Sequence, residues 1–454
     1  MKVIMSLFLS IVGTPAILVS LLALCGLLLQ KKKTSDVISG TVKTMIGFLV
    51  LTGGAGVLSG ALTPFASMFQ TALHTQGVVP SNEAVVAIAL QHFGTPTALI
   101  MAIGMVVNIL LARFTRFKYI FLTGQAMLYV SCLTAVILVS AGFGTDFTMI
   151  LLGGIFEGTL LTVTPALCQP FMRQITGNDS VAMGHTGNIG YASAGLIGKW
   201  FGNKEKSTEE VNISKNWSFL RDSTISIMLL MSVVYIGLAI AAGPSYVEHK
   251  LSNGTEAFVY AITQAGTFTA GFVIVLQGVR MILAEIVPAF QGIAKKWVPG
   301  SKPALDVPII FPYAPNAVLI GFFTSFIMGT ISMFAMIAMH TTVIIPGVVG
   351  HFFCGAAAGV YGNATGGRRG AVLGSAFNGL LLSWLPLFIL PLLGELKLAA
   401  STFADTDYLI PGLALGYIGQ AGKLALICGI AAFVLAVVLL SAYLNARDKK
   451  AATK

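Results

Sequence analysis

The sequence predicts an all-α polytopic membrane protein of about 11 transmembrane helices, with an inverted repeat and two broken or re-entrant elements. Composition, span length and charge placement carry that prediction. Of 454 residues, 56% are hydrophobic and only 10% are charged, where soluble domains carry about 25% charged residues. Mean hydropathy is +0.87. Apolar runs of about 20 residues, long enough to cross ~30 Å of hydrocarbon, recur along the chain.

Crossings are expected near 6–30, 43–63, 95–112, 119–141, 147–168, 225–243, 257–284, 316–339, 344–366, 371–394 and 423–445. The first run does not read as a cleaved signal peptide, because its charges, Lys31 to Lys33, follow the apolar stretch instead of preceding it. By the positive-inside rule those lysines face the cytoplasm, so the N-terminus lies outside and, after eleven crossings, the C-terminus inside. Alternation then puts 23 of 27 basic residues on the cytoplasmic side; only Lys2, Lys250, Lys397 and Lys423 fall outside. The net charge of +10 is therefore read as loop charge, with no nucleic-acid partner. The five cysteines (Cys25, Cys132, Cys168, Cys354 and Cys428) have neither metal-ligand nor disulfide spacing and read as small packing residues.

Two apolar pieces are too short to span: "VVPSNEAVVAIALQHFG", from Val78 to Gly94, and "LDVPIIFPYAP", from Leu305 to Pro315. Short, Pro-interrupted segments in corresponding places mark broken elements near a transport site. A faint internal symmetry accompanies them. Gly47 and Gly271, Gly54 and Gly278, and Pro64 and Pro288 differ by 224; Thr95 and Ala314 differ by 219; Gly124 and Gly347 differ by 223. In the expected topology each matched pair runs in opposite directions. This makes one membrane domain over 1–454, with repeat halves at about 40–200 and 257–394.

Polar groups in hydrocarbon must be satisfied internally, and a charge at the centre costs about 2.5–3.5 kcal/mol on insertion scales. The candidates are Glu83, Glu157, Glu285, Asp306, Gln125, His92, His185 and His351. Glu285, five residues after Arg280 near a helix end, reads as structural. Asp306 opens the second broken element and reads as functional, with Asn82 and Glu83 in the corresponding place of the first. For Glu157, mid-span in "GGIFEGTLL", structural and functional readings both stand. His92 and His351 suit a packed role better than His185, which lies in the glycine-rich "MGHTGNIGYASAG" beside Thr186 and Asn188. Nucleotide and metal chemistry are not expected: "GLIGKW" lacks the phosphate-loop spacing and the hydroxyl after Lys199, and no zinc-ligand motif occurs.

Several stretches together resemble the enzyme IIC membrane permeases of the bacterial phosphoenolpyruvate phosphotransferase system, in the ascorbate and galactitol branch, with the ascorbate type closest. They are "GTVKTMIGF" from Gly40, "LTGQAM" from Leu122, "MGH" from Met183, "QGVRMILAEIVPAFQGIAKKWVPG" from Gln277 and "FPYAPNAVLIGF" from Phe311. The resemblance implies a homodimer in the plasma (inner) membrane that works as an elevator. It would import ascorbate or a related sugar acid or polyol and present it to a separate phosphocysteine-bearing IIB, itself served by IIA. No soluble IIA or IIB domain is expected here, and no catalytic residue, metal or cofactor; phosphoryl transfer belongs to IIB. By position, the resemblance places substrate contacts at Gly54, Ala55, Asn82, Gln125, Tyr129, His185, Thr186, Asp306 and Cys354. Four of these depart from the ascorbate type, which carries a histidine at Gln125, a glutamine at Tyr129 and Thr186, and a serine at Cys354. A proton- or sodium-coupled secondary transporter on the same scaffold is the alternative, with Glu157, Glu83 or Asp306 as the ion site.

Overall fold

The structure is a computed structural model and describes residues 15–74, 77–211, 219–220, 222–394 and 401–452. In chain order the helices are α1 (Pro15–Leu29), α2 (Thr34–Leu73), α3 (Asn82–Phe114), α4 (Gly124–Ser140), α5 (Phe147–Thr176) and α6 (Asn188–Phe201). They continue as α7 (Ser223–Ala242), α8 (Ala257–Trp297), α9 (Pro315–Ala338), α10 (Ala356–Ile389), α11 (Thr406–Gln420) and α12 (Lys423–Ala452). Six short strands lie between them: β1 (Gly77–Pro80), β2 (Tyr119–Phe121), β3 (Ala182–Met183), β4 (Lys302–Leu305), β5 (Val343–Ile344) and β6 (Ser401–Thr402).

Among the described residues, eight helices are long and apolar enough to cross a membrane, against the eleven crossings expected. The difference has identifiable sources. The first expected crossing begins in residues outside the described ones, leaving α1 with 15 residues. Helix α4 is apolar but has 17 residues, because Tyr119–Phe121 is spent on a strand. The ninth and tenth crossings form one continuous helical stretch, Val348–Leu392, yet the chain doubles back within it. Gly366 and Gly367 leave helical geometry, with φ −142° and +58°. Ser375 Oγ donates to Gly355 O at 3.2 Å, a contact between residues that would stand about 30 Å apart on a straight helix. A Cβ on Gly367 would strike the carbonyls of Asn203 and Lys206, so the turn requires glycine for both its dihedral and its space.

Helices α2 and α8 pack antiparallel at glycines. A Cβ on Gly54 would lie 2.7 Å from Val275 N, one on Gly271 2.9 Å from Leu58 N, and one on Gly278 would strike Leu51 N. Small residues at such crossings let membrane helices approach to backbone contact. Helix α8 carries Glu285, whose side chain lies outside the described residues. Both expected broken elements are present. Phe93 (φ −116°, ψ 15°) interrupts α3, and a 3-10 turn, Val307–Tyr313, precedes α9.

The strands form two three-stranded parallel sheets, ordered β5-β1-β6 and β2-β4-β3. Gly77 pairs with Val343 and Val79 with Ser401; Tyr119 pairs with Lys302 and Ala182 with Ala304. Each central strand therefore comes from one half of the chain and both its neighbours from the other. Backbone groups that leave helical pairing inside an apolar body are satisfied across the sheet instead, as hydrocarbon demands.

Candidate functional site

The carboxyl ends of both sheets open on one polar cavity of about 120 Å³. β1 leads into Asn82 and Glu83, β2 into Gln125 and Tyr129, and β3 into His185 and Thr186. β4 leads into Asp306, β5 into Val349 and Gly350, and β6 into Asp405 and Tyr408. Leu276 and Arg280 of α8 complete the wall. The site therefore follows the rule of soluble α/β proteins, where ligands sit beyond the carboxyl ends of parallel strands.

Two hydrogen-bonded groups organise the lining. In the first, Asp405 accepts from Asn82 Nδ2 at 2.9 Å and from Thr186 Oγ1 at 2.6 Å. Asn82 Oδ1 in turn accepts from Ala404 N at 2.8 Å, which locks its amide orientation. Two residues on, Asp407 accepts from Asn188 N at 3.1 Å and Ile189 N at 2.8 Å, a carboxylate set on the first turn of α6. In the second, Gln125 Nε2 donates to Asp306 Oδ2 at 3.0 Å while Val307 N donates to Oδ1 at 2.8 Å. His185 Nε2 stands 3.9 Å from Asp306 Oδ1, beyond hydrogen-bond range. Its Nδ1 lies 2.6 Å from Tyr191 Oη, and that hydroxyl reaches Cys354 Sγ at 3.5 Å. Tyr129 Oη is buried with no partner among the described residues, which leaves it free for a bound solute.

Six of the nine expected contacts line the cavity: Asn82, Gln125, Tyr129, His185, Thr186 and Asp306. Cys354 lies behind the wall, linked through Tyr191. Gly54 serves the α2–α8 crossing, and the side chain of Ala55 lies outside the described residues. Glu83, weighed only as a candidate, lines the cavity, whereas Glu157 lies off it, fully buried, with Oε2 accepting from Ser131 Oγ at 2.8 Å. His351 is packed and bonded to Ser325 Oγ at 2.8 Å, in keeping with its expected role. The sequence reading missed Asp405, Tyr408, Arg280 and Tyr191. The 219-residue offset that joins Thr95 to Ala314 also lays Thr186 on Asp405, and that signal was available.

Beside the cavity, in the loop after α5 and outside the spans, Asp179 joins β3 and β4 to the end of α5. It contacts Arg173 Nε at 2.9 Å, Lys302 Nζ and Gln169 Nε2. The Arg173 guanidinium, helped by Lys302 and Gln169, holds the Asp179 carboxyl well below the usual carboxylate range.

A small chamber of directional polar groups enclosed by long apolar helices is the construction of a multi-pass membrane protein that handles a polar solute. The chain belongs to the family of PTS system sugar-specific permease components (EIIC-GAT), whose family model matches residues 10–407. It is also similar to the ascorbate-specific PTS system EIIC component of Mycoplasma pneumoniae, with 26% identity over 415 residues. That match covers 79% of this chain and 62% of the relative, so the chain spans under two thirds of the relative's length.

Proposed function

We propose that this permease imports ascorbate or a related sugar acid or polyol and presents it at the cytoplasmic face to a separate IIB for phosphorylation. The observation that carries the reading is the cavity. Gln125 and His185 supply donors for an enolate or carboxylate ring, while Asp306 and Asp405 accept from side-chain hydroxyls. The four departures from the ascorbate type lie on or directly behind this wall, so a substrate related to ascorbate fits as well as ascorbate itself.

The proposal includes an inverted repeat, which the strand spacings support. From Gly77 to Lys302, Tyr119 to Val343 and Ala182 to Ser401 are steps of 225, 224 and 219. These steps convert the sheet β5-β1-β6 into β2-β4-β3. A step of 224 likewise converts the Gly54–Val275 contact into the contact between Gly278 and Leu51. The elevator reading is supported by the cavity's position between α8 and the sheet-bearing body, a boundary along which one unit can slide. Eleven crossings, an outside N-terminus, a cytoplasmic C-terminus and a homodimer complete the proposal.

The test is uptake of labelled ascorbate and neighbouring polyols by cells or vesicles, with and without phosphoenolpyruvate, IIA and IIB. Accumulation of phosphorylated product that survives collapse of the proton gradient supports the reading. Unphosphorylated product whose accumulation depends on the gradient overturns it.

A further inference from the structure

His185, Cys354 and Asp405 each place one ligating atom within 4.8 Å of the other two. They come from the loop after β3, the turn His351–Gly355 and the loop after β6, so no local spacing in the sequence announces them. All three are buried, at 8%, 0% and 3% exposure. We propose that they form a binding site for a soft divalent cation of the zinc class, at the edge of the substrate cavity.

The donor set points to that class. An imidazole, a thiolate and a carboxylate together suit zinc and its soft neighbours, whereas magnesium and calcium take oxygen shells. Bonds of about 2.0–2.3 Å set tetrahedral donors about 3.3–3.8 Å apart, a contraction that small side-chain rotations supply. The surroundings also resemble the outer shell of a metal site. Ligating side chains are held by a second hydrogen bond, and each of these three has one. Asp405 accepts from Asn82 and Thr186. Tyr191 Oη meets His185 Nδ1 at 2.6 Å and donates to Cys354 Sγ at 3.5 Å. Tyr191 holds one ring nitrogen of His185, and the other, Nε2, is left to meet either the substrate or the cation. Asp306 Oδ1, 3.9 Å from His185 Nε2, lies outside this three-residue group, so the fourth position falls to water. Glu83, Asp306 and Asp405 line the cavity with Arg280 and His185, so carboxyl groups outnumber basic side chains beside the proposed site. On binding, Cys354 gives up its thiol proton to solvent and the sulfur–metal bond forms without redox change.

The test is a titration of the purified full-length protein with Co²⁺, followed through the thiolate-to-cobalt charge-transfer band, then displacement by Zn²⁺. One equivalent per chain is expected to generate the band. Cys354→Ser should abolish it and weaken Zn²⁺ binding at least tenfold. Cys354→Asp keeps a ligating atom and should retain Zn²⁺ binding without the band, which separates loss of a ligand from misfolding. Cys428→Ser, at a cysteine exposed on the surface, should change nothing. Absence of the band at saturating Co²⁺, or a band that survives Cys354→Ser, overturns the proposal.

Discussion

Thr186 and Asp405 lie 219 positions apart in the chain and meet through a 2.6 Å hydrogen bond at the cavity wall. Thr186 follows β3 and Asp405 follows β6. Asn188 and Asp407, separated by the same 219 residues, repeat the contact one step further along. Segments far apart in the chain thus meet twice in succession, and the first of these contacts lies in the cavity wall.

Asp405 should therefore be central to substrate affinity. Asp405→Asn replaces an acceptor of two donors with a group that can serve only one, and a hydrogen bond to a charged group is worth about 1.5–3 kcal/mol. Substrate Kd should rise about 10- to 100-fold by isothermal titration, and Thr186→Val should produce the smaller effect of the two. Unchanged affinity in both variants would remove this pair from the site.

Glu157 tests the route of energy coupling. It is buried away from the cavity, with Ser131 as its hydrogen-bond partner and Oε1 left without one among the described residues. Glu157→Gln keeps size and hydrogen bonding, so phosphoenolpyruvate-driven uptake should stay within about twofold of wild type, since isosteric replacements that keep polar partners cost little. Abolished uptake with intact folding would restore the coupled-ion alternative.

Two glycines in α2 and α8 should respond in opposite ways to enlargement. Gly278→Val drives side-chain atoms into the backbone of Leu51, and overpacking of this kind costs about 1–3 kcal/mol. Gly56, with open space where a Cβ would go, should accept alanine with a gain of about 0.5–1 kcal/mol from reduced backbone freedom. Thermal unfolding in detergent reads both; equal melting temperatures would contradict the close α2–α8 crossing.

The Asp179 latch sets a pH dependence with a definite sign. Its carboxyl is held below the ordinary value, chiefly by Arg173, so the folded state binds the proton less readily than the unfolded chain. The stabilisation is complete above the unfolded pKa of about 3.9 and is lost as pH falls through the lower folded value. Asp179→Asn should lower the melting temperature by a constant amount from pH 5 to 8. The gap between variant and wild type should close only in strong acid. A gap that grows toward acid would refute the assignment.

The long spans were legible in the sequence because 20 apolar residues leave an unambiguous signature. So were both interruptions, at Phe93 and Val307–Tyr313, because proline and short length betray a helix that cannot cross. Six cavity residues were reached through resemblance, with Asp306 and His185 also standing out as polar groups in apolar surroundings. The sheets were not legible. Strands of two to four residues are too short to show an alternating pattern, and their pairing is decided by partners hundreds of residues away. Asp405 was missed for a related reason: "STFADTDYL" reads as a solvated polar loop until β6 draws it into the centre. Gly54, placed among the substrate contacts by resemblance, packs against Val275 at the α2–α8 crossing.

The exchange of strands between halves has a consequence for biogenesis. When β1 leaves the ribosome its edge partners do not yet exist; β5 and β6 arrive only with Val343 and Ser401. Until then β1 lacks both of its strand partners, and unpaired backbone groups are costly wherever water is excluded. The same long-range pairing predicts slow completion of the fold. It also means that two separately synthesised halves should assemble only when made together, each finishing the other.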